Sequence, residues 1–436
     1  MHKSNWQVIT GDCRDVLATY PDNSFDAVIC DPPYEIGFMS KGWDNSGIAY
    51  DVDMWRQVLR VLKPGAHLLC FGGTRTYHRI AVAIEDAGFQ IRDCLAYLWM
   101  YGSGFPKSLD VGKAIDREAG ASIHHGTAFT VAGVGDRKKM QTTAPSKGYV
   151  PPEPKTPEAK QWAGYGTGLK PAFEPIVLAR KPIESGLTIA GNVLKYGTGA
   201  INIDGCRVFS EDVNHERERH GGGIKQNHSS FYFSDSRESM PPGRWPANLI
   251  HDGSDAVEGL FPDVGGGKEK TVTRERNKGW CNASPGNGVD AIDSYGDTGS
   301  ASRFFYVAKP SQHERNAGLN GTHQTVGDGR KTPIDNPFQR GKTERRNIHP
   351  TVKPVTLLEY LARLICPPGG TILDPFCGSG SMGMASISEG FDYVGIELSQ
   401  EYAEIARARI FQARRGQAVQ TKEQQDLSAA GQMEMF

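Results

Sequence analysis

Asp31-Pro32-Pro33-Tyr34 brings an acid, two prolines and an aromatic ring together in four residues. That set suits a pocket for a flat ring carrying an exocyclic amino group. Asp31 offers carboxylate oxygens that accept hydrogen bonds from NH2. The prolines fix φ and lack N–H donors, so the turn is stiff and its carbonyls stay free to accept. Tyr34 supplies a face on which a planar base can stack. Taken alone, the tetrapeptide reads equally well as a turn closing a strand, where Asp and Pro are common.

A second set of residues lies near the other end of the chain. Thr371-Ile372-Leu373-Asp374-Pro375-Phe376-Cys377 leads into Gly378, Gly380 and Gly383, spaced G-x-G-x-x-G. Glycines at that spacing let the backbone turn tightly and approach a ligand closely. Glu397 follows the glycines by about twenty residues, the distance at which a carboxylate reaches ribose hydroxyls in a nucleotide fold. A dinucleotide site with a pyrophosphate on the helix N-terminus is the rival reading. Asp374, just before the loop, favours a ligand with a positive or amino-bearing tail.

Both sets need strands to place them. Phe25–Cys30 is a short apolar run that reads as a buried strand delivering Asp31 to a loop. Thr371–Asp374 and Phe391–Glu397 read as strands on either side of the glycine turn and its helix. Sites on open α/β sheets form where strands run out into loops.

Together, D-P-P-Y and D-P-F-C-G-S-G resemble the S-adenosylmethionine-dependent DNA amino-methyltransferases, which act on adenine N6 or cytosine N4. The catalytic tetrapeptide precedes a long middle and then the cofactor loop, an order that resembles the β group of that family. Further segments match: Val8–Cys13, Val61–Phe71, Leu169–Lys181 and His349–Pro354. The resemblance covers about residues 5–182 and 300–412. It implies an α/β fold, a doubly wound and mostly parallel seven-stranded Rossmann-like sheet of the class I methyltransferase type, permuted in motif order. One antiparallel hairpin is expected at its edge, and the Val8 strand beside the one ending at Glu397.

The same resemblance implies S-adenosyl-L-methionine as cofactor and double-stranded DNA as partner. A homodimer and a cognate restriction nuclease are partners the family allows. Asp31, Pro32, Pro33 and Tyr34 become the catalytic residues, with Asp31 and the Pro32 carbonyl accepting from the amino group. Asp374, Pro375, Phe376, Gly378 and Gly380 line the cofactor's methionine end, and Glu397 holds its ribose. Asp12 belongs beside the adenine ring, unless it only caps a strand end; Lys353 belongs near the carboxylate, unless it binds a DNA phosphate. An acid opening the tetrapeptide leans toward adenine N6 rather than cytosine N4. An RNA or protein-glutamine amino-methyltransferase, a non-catalytic DNA binder and a nicotinamide oxidoreductase are the rival classes.

Composition is compatible with this reading. The 436 residues suffice for one large α/β domain and a substantial second region. Eight scattered cysteines without C-x-x-C pairs suit reduced thiols in the cytoplasm. His124, His125, His215 and His220 have no cysteine partner at ligand spacing, so no metal site is expected. No signal peptide and no membrane-length apolar run is apparent. The formal net charge of −1 is uninformative about DNA, since local distribution matters more than the sum. Basic residues gather at Lys268, Lys270, Arg274, Arg276 and Lys278, and at Arg330, Lys331, Arg340, Lys342, Arg345, Arg346 and Lys353. They suit phosphate contact or a solvated loop.

The chain divides into a catalytic half over 1–182, interrupted by a loop or lid over about 120–165, and a cofactor half over 301–413. Residues 183–300, polar and glycine-rich, are expected to recognise the target, and 414–436 to form a disordered tail. A strand is expected over 302–309. Phe38 and Trp43 wall the base pocket or pack in the core.

Overall fold

The computed structural model describes residues 4–36, 42–98, 108–121, 153–169, 171–208, 243–253, 255–259, 261–264, 299–307, 316–319, 324–327, 342–349 and 351–415. Among these residues thirteen strands run in chain order. They are β1 (Trp6–Thr10), β2 (Phe25–Cys30), β3 (Leu62–Phe71), β4 (Gln90–Leu98), β5 (Phe173–Arg180), β6 (Leu249–His251), β7 (Asp263–Val264), β8 (Gly299–Ser300), β9 (Tyr306–Val307), β10 (Gln324–Gly327), β11 (Lys342–Arg345), β12 (Thr371–Asp374) and β13 (Asp392–Glu397). The helices used below are α1 (Cys13–Ala18), α2 (Val52–Val61), α3 (Tyr77–Asp86), α4 (Val111–Glu118), α5 (Pro157–Gln161), α6 (Ile189–Tyr196), α7 (Asp255–Glu258), α8 (Val355–Ile365), α9 (Ser381–Glu389) and α10 over 400–415.

Nine strands form one sheet in the order β1-β13-β12-β2-β3-β5-β4-β6-β9. All but β5 run parallel; β5 is antiparallel to both β3 and β4. The seven strands from β1 to β4 are the expected core, and β6 and β9 extend it. The antiparallel pair is therefore interior rather than at the edge. Covering β4 removes an exposed row of unpaired backbone groups. The expected neighbour of the Glu397 strand is in place: β1 pairs with β13, Thr10 opposite Glu397.

Successive residues of a strand face opposite sides of a sheet, and both sides here are covered. Ala27, Ile29, Leu69, Phe71, Ile372 and Tyr393 pack toward α8, α9 and α10. Val28, Cys30, Leu68, Cys70, Leu373 and Ile396 pack toward α1, α2 and α3. Burial on both faces explains why β2, buried along its whole length, is apolar throughout except for Asp26, whose carboxylate pairs with Lys63, rather than alternating.

The expected recognition region is not separate from this sheet. Its β6 joins β4, and α6 is tied to the start of β3, where Asn192 Nδ2 and Thr198 Oγ1 donate to the Pro64 carbonyl at 2.8 and 2.6 Å. The strand expected over 302–309 is instead a 3-10 turn, Ala301–Phe304, followed by the two residues of β9. Residues 122–152, 209–242, 265–298 and 416–436 lie outside the described set, as do most of the expected lid and tail. Among the described residues no helix is long and apolar enough to cross a membrane.

Candidate active site

Strands β2 and β12 are parallel neighbours, with Leu373 opposite Val28. Asp374 ends β12, and Asp31 follows the last residue of β2. The carboxyl ends of these strands, together with those of β1, β3 and β13, open into one cavity of about 1750 Å³. All twelve site residues expected from sequence line it except Gly380, which caps α9 beside it.

On the β2 side a partly buried polar cluster has formed. Lys353 Nζ lies 2.9 Å from Asp31 Oδ2, 3.0 Å from the Tyr34 hydroxyl and 3.4 Å from Glu174. The Tyr34 hydroxyl donates to Glu174 Oε1 at 3.4 Å, and the ammonium also sits 4.8 Å from the Phe71 ring centre, a cation–π distance. Among the described residues Asp31 Oδ1 has no hydrogen-bond partner. The tetrapeptide is held from behind, because Thr76 Oγ1 donates to the Tyr34 carbonyl at 2.8 Å.

Burial works against charge here, and the neighbours decide which groups keep it. Lys353 is disfavoured as a cation by burial, but Asp31 and Glu174 outweigh that and raise its pKa. Burial raises the Glu174 carboxyl, with Lys353 pulling the other way. Burial, then the charges of Asp31 and Glu174, push the Tyr34 phenol well above its ordinary range, so it stays neutral.

Lys353 packs against three side chains on the catalytic side of the cavity, Asp31, Tyr34 and Glu174, and lines the cavity as well. An ammonium taken out of water needs anions at close range, and Asp31 and Glu174 provide them.

The β12 side is built differently. Asp374 is 3 % exposed; its Oδ1 accepts from the Phe376 N–H at 3.1 Å and its Oδ2 from the Tyr393 hydroxyl at 3.2 Å. Burial pushes its carboxyl up to about 8 despite those two donors. Glu397 Oε2 accepts from the Gly378 N–H at 2.8 Å and Oε1 from the Ser399 N–H at 2.9 Å. Burial raises its carboxyl as well, opposed by these backbone donors. Each carboxylate oxygen has lone pairs left for a ligand.

The glycine turn depends on its glycines. Gly378 has φ +54°, and a Cβ there would sit 3.0 Å from His349 Nε2. Gly380, at φ +78°, would meet the Ala406 backbone of α10 at 2.9 Å. Arg409, fully buried, reaches from α10 to donate to the Ser379 hydroxyl at 2.9 Å and the Ser381 hydroxyl at 3.1 Å.

Asp12 does two things at once. It caps α1 by accepting from the Arg14 N–H at 2.9 Å, and its carboxylate pairs with the Arg14 guanidinium at 2.6 Å, which lowers its pKa. It also lines the cavity. Phe38 lies outside the described residues, and Trp43 falls in the 3-10 turn Gly42–Asn45. Of the basic residues, Lys268 to Lys278, Arg330, Lys331 and Arg340 also lie outside them. Lys342 and Arg345 belong to β11, and Arg346 is exposed.

Sequence reasoning missed Glu174, His349, Tyr393 and Tyr402. Glu174 carried a signal: it is the one acid within the otherwise apolar Phe173–Leu178. His349 stacks edge-on against Tyr402, ring centres 4.7 Å apart, at the mouth of the glycine turn.

Comparison with known proteins adds family evidence. Residues 25–408 match the profile of a family described as DNA methylase. YubD of Escherichia coli (strain K12), named a methylase, is 42% identical over 101 residues, 22% of this chain and 44% of that protein. Type II methyltransferase M.HindIII of Haemophilus influenzae (strain ATCC 51907 / DSM 11121 / KW20 / Rd) is 24% identical over 245 residues, 55% of this chain and 65% of that one. The chain thus spans less than two thirds of either relative. Among solved structures, the cytosine-N4-specific PvuII DNA methyltransferase aligns loosely, with 13% identity, a TM-score of 0.41, and coverage of 94% of this chain and 87% of that chain.

Proposed function

This chain belongs to the DNA methylase family, and we propose that it transfers a methyl group from S-adenosylmethionine to the exocyclic amino nitrogen of a base in DNA, adenine N6 being the acceptor. One juxtaposition carries the reading. Asp31, with one oxygen held by Lys353 and the other without a hydrogen-bond partner among the described residues, opens into the same cavity as the buried Asp374 and the half-buried Glu397.

The chain's own residues fit such a cofactor. Asp374 is an acid raised by burial that awaits a cation, and the ligand's α-amino group would supply one. Glu397, steadied by two backbone N–H groups, has lone pairs for ribose hydroxyls. Gly378 allows a close backbone approach, with Pro375 and Phe376 beside it and Asp12 at the adenine end, while Gly380 makes room for α10. Lys353 lies on the catalytic side of the same cavity. S-adenosylmethionine, when bound, supplies an electrophilic methyl group on a cationic sulfur.

The acceptor nitrogen is a poor nucleophile because its lone pair is delocalised into the ring, and the base must leave the duplex stack to be reached. Asp31 and the Pro32 carbonyl accept from the NH2, hold the nitrogen in line and stabilise the positive charge that develops on it. Tyr34 offers its ring to the base. Holding the reacting groups at attack distance lowers the barrier further. The leaning toward adenine rests on the acid at position 31. We assign target recognition to 183–300, the catalytic half to 1–182 and the cofactor half to 301–413.

Incubation of the purified chain with mixed-sequence duplex DNA and methyl-labelled S-adenosylmethionine, followed by digestion to nucleosides, tests this. Label in N6-methyladenine is expected. Label in N4-methylcytosine would retain the chemistry and reverse the base, and label only on RNA or protein would overturn the proposal.

A further inference from the structure

Glu174 belongs to β5, the one strand that runs against the rest of the sheet, and nothing in the catalytic tetrapeptide or the glycine turn requires it. Its side chain is only 17% exposed. Both of its oxygens lie 3.4 Å from Lys353 Nζ, and Oε1 also accepts from the Tyr34 hydroxyl.

We propose that Glu174 is a positioning residue for methyl transfer, which keeps the Lys353 ammonium from cancelling the negative charge that Asp31 presents to the acceptor nitrogen. The inference rests on reading this cavity as an amino-methyltransferase site. During transfer the acceptor nitrogen donates its lone pair to the methyl carbon, and the electron pair of the breaking bond stays on sulfur. The nitrogen is positive until one of its N–H protons is lost to solvent. What stabilises that step is net negative charge beside the nitrogen.

Asp31 and Lys353 alone, 2.9 Å apart, make a neutral pair, whose field is weak at the nitrogen. Glu174 brings the trio back to one net negative charge. Lys353 is needed in turn, because two carboxylates sharing a buried site cannot both stay ionised without a cation between them. The Tyr34 hydroxyl, accepting from Lys353 and donating to Glu174, fixes the arrangement to the catalytic tetrapeptide. The ring faces of Tyr34 and Phe71, 5.3 and 4.8 Å from Nζ, limit where the ammonium can sit.

Charge counting distinguishes this from a packing role. Full-length wild type, Glu174→Gln, Glu174→Asp and the double variant Glu174→Gln/Lys353→Met are compared for kcat on duplex DNA and for cofactor Kd by calorimetry. Glu174→Gln should lower kcat roughly ten- to a hundredfold, the scale of one uncompensated charge near a reacting centre. Its cofactor Kd should stay within about twofold, because Asp374 and Glu397 are untouched. Glu174→Asp, which keeps the charge, should retain most of the rate. The double variant carries a single negative charge again and should be several-fold faster than Glu174→Gln. A double variant as slow as Glu174→Gln, or a Glu174→Gln as fast as wild type, would overturn the inference. If Glu174→Gln does not fold, Glu174→Asp is set against the double variant instead: a double variant within about thirtyfold of Glu174→Asp is expected, and one slower by more than about a hundredfold would overturn the inference. An inactive wild type would strike the parent reading, and this one with it; a slow double variant beside an active wild type strikes this one alone.

Discussion

Asp31 and Asp374 stand on neighbouring strands of one cavity, yet their surroundings treat charge in opposite ways. Asp31 has a cation of its own: Lys353 lies 2.9 Å away and Glu174 balances it from behind. Asp374 and Glu397 are held only by backbone N–H groups and a tyrosine hydroxyl, and among the described residues neither pairs with a lysine or arginine. The first lobe holds its own counter-ion before any ligand arrives, with one negative charge left over. The second stores an unfavourable burial of acids that a cationic ligand relieves. On the function proposed above, the charged cofactor belongs to the uncompensated lobe and the chemistry to the one that carries its own cation.

The largest expected effect separates the two roles outright. Asp31→Ala should cost about a thousandfold or more in kcat, comparable to deleting a group that meets developing charge, with cofactor Kd nearly unchanged. A matching loss of cofactor binding in calorimetry would show the lobes to be one unit.

Asp374 should behave in the converse manner, and pH makes the contrast sharper. In the free protein its carboxyl is raised from 3.8 to about 8, so below that pH a cationic ligand must displace its proton. Cofactor affinity should therefore climb with pH, by up to about tenfold per unit, and level off above about 8. Stability of the free protein runs the other way. An acid whose folded pKa lies above its unfolded value loses stability as pH rises between the two, here from about 4 to about 8, and no further beyond. Asp374→Asn should weaken cofactor binding by about ten- to a hundredfold and flatten both slopes. Calorimetry and thermal unfolding across pH 5–9 check this (proton release appears as a buffer-dependent binding enthalpy).

Gly378→Ala tests the backbone of the uncompensated lobe. A side chain at φ +54° costs about 1–2 kcal/mol, and its Cβ would press on His349 Nε2 at 3.0 Å. About a tenfold loss of cofactor affinity is expected, with kcat at saturating cofactor little changed. An affinity equal to wild type would show that the turn does not set the ligand's approach.

How far these lobes can be read from sequence follows from how each is built. The uncompensated lobe is local: Asp374, Gly378 and Glu397 lie on one strand–turn–helix–strand stretch, and spacing alone places them together. The strands β2 and β13 are legible for a similar reason, as apolar runs buried on both faces. The compensated lobe is assembled from afar. Glu174 is 179 residues from Lys353 and 140 from Tyr34, so only the sheet order that puts β5 beside β3 brings them into contact. Without that order Lys353 had no visible anion except a ligand's. The three residues of β6, in a glycine-rich tract, are too short for any period to show, and their pairing with β4 hid the extension of the sheet.

Asp12 falls between the lobes, and the smallest effect should come from it. Its carboxylate caps α1 and pairs with Arg14 while lining the cavity, so one substitution would confuse stability with binding. Two separate them. Asp12→Asn keeps an acceptor for the Arg14 N–H, since Asn caps helices as well as Asp, and should leave the melting temperature nearly unchanged. Asp12→Ala removes the cap and should cost about 1 kcal/mol of stability. If Asp12 also accepts from the adenine amino group, both variants lose about three- to tenfold in cofactor affinity, the worth of one hydrogen bond. An Asn variant that binds as wild type does, beside an Ala variant that is only less stable, would make Asp12 a cap and nothing more. The cavity's acids would then be divided between two lobes with no third contributor at the adenine end.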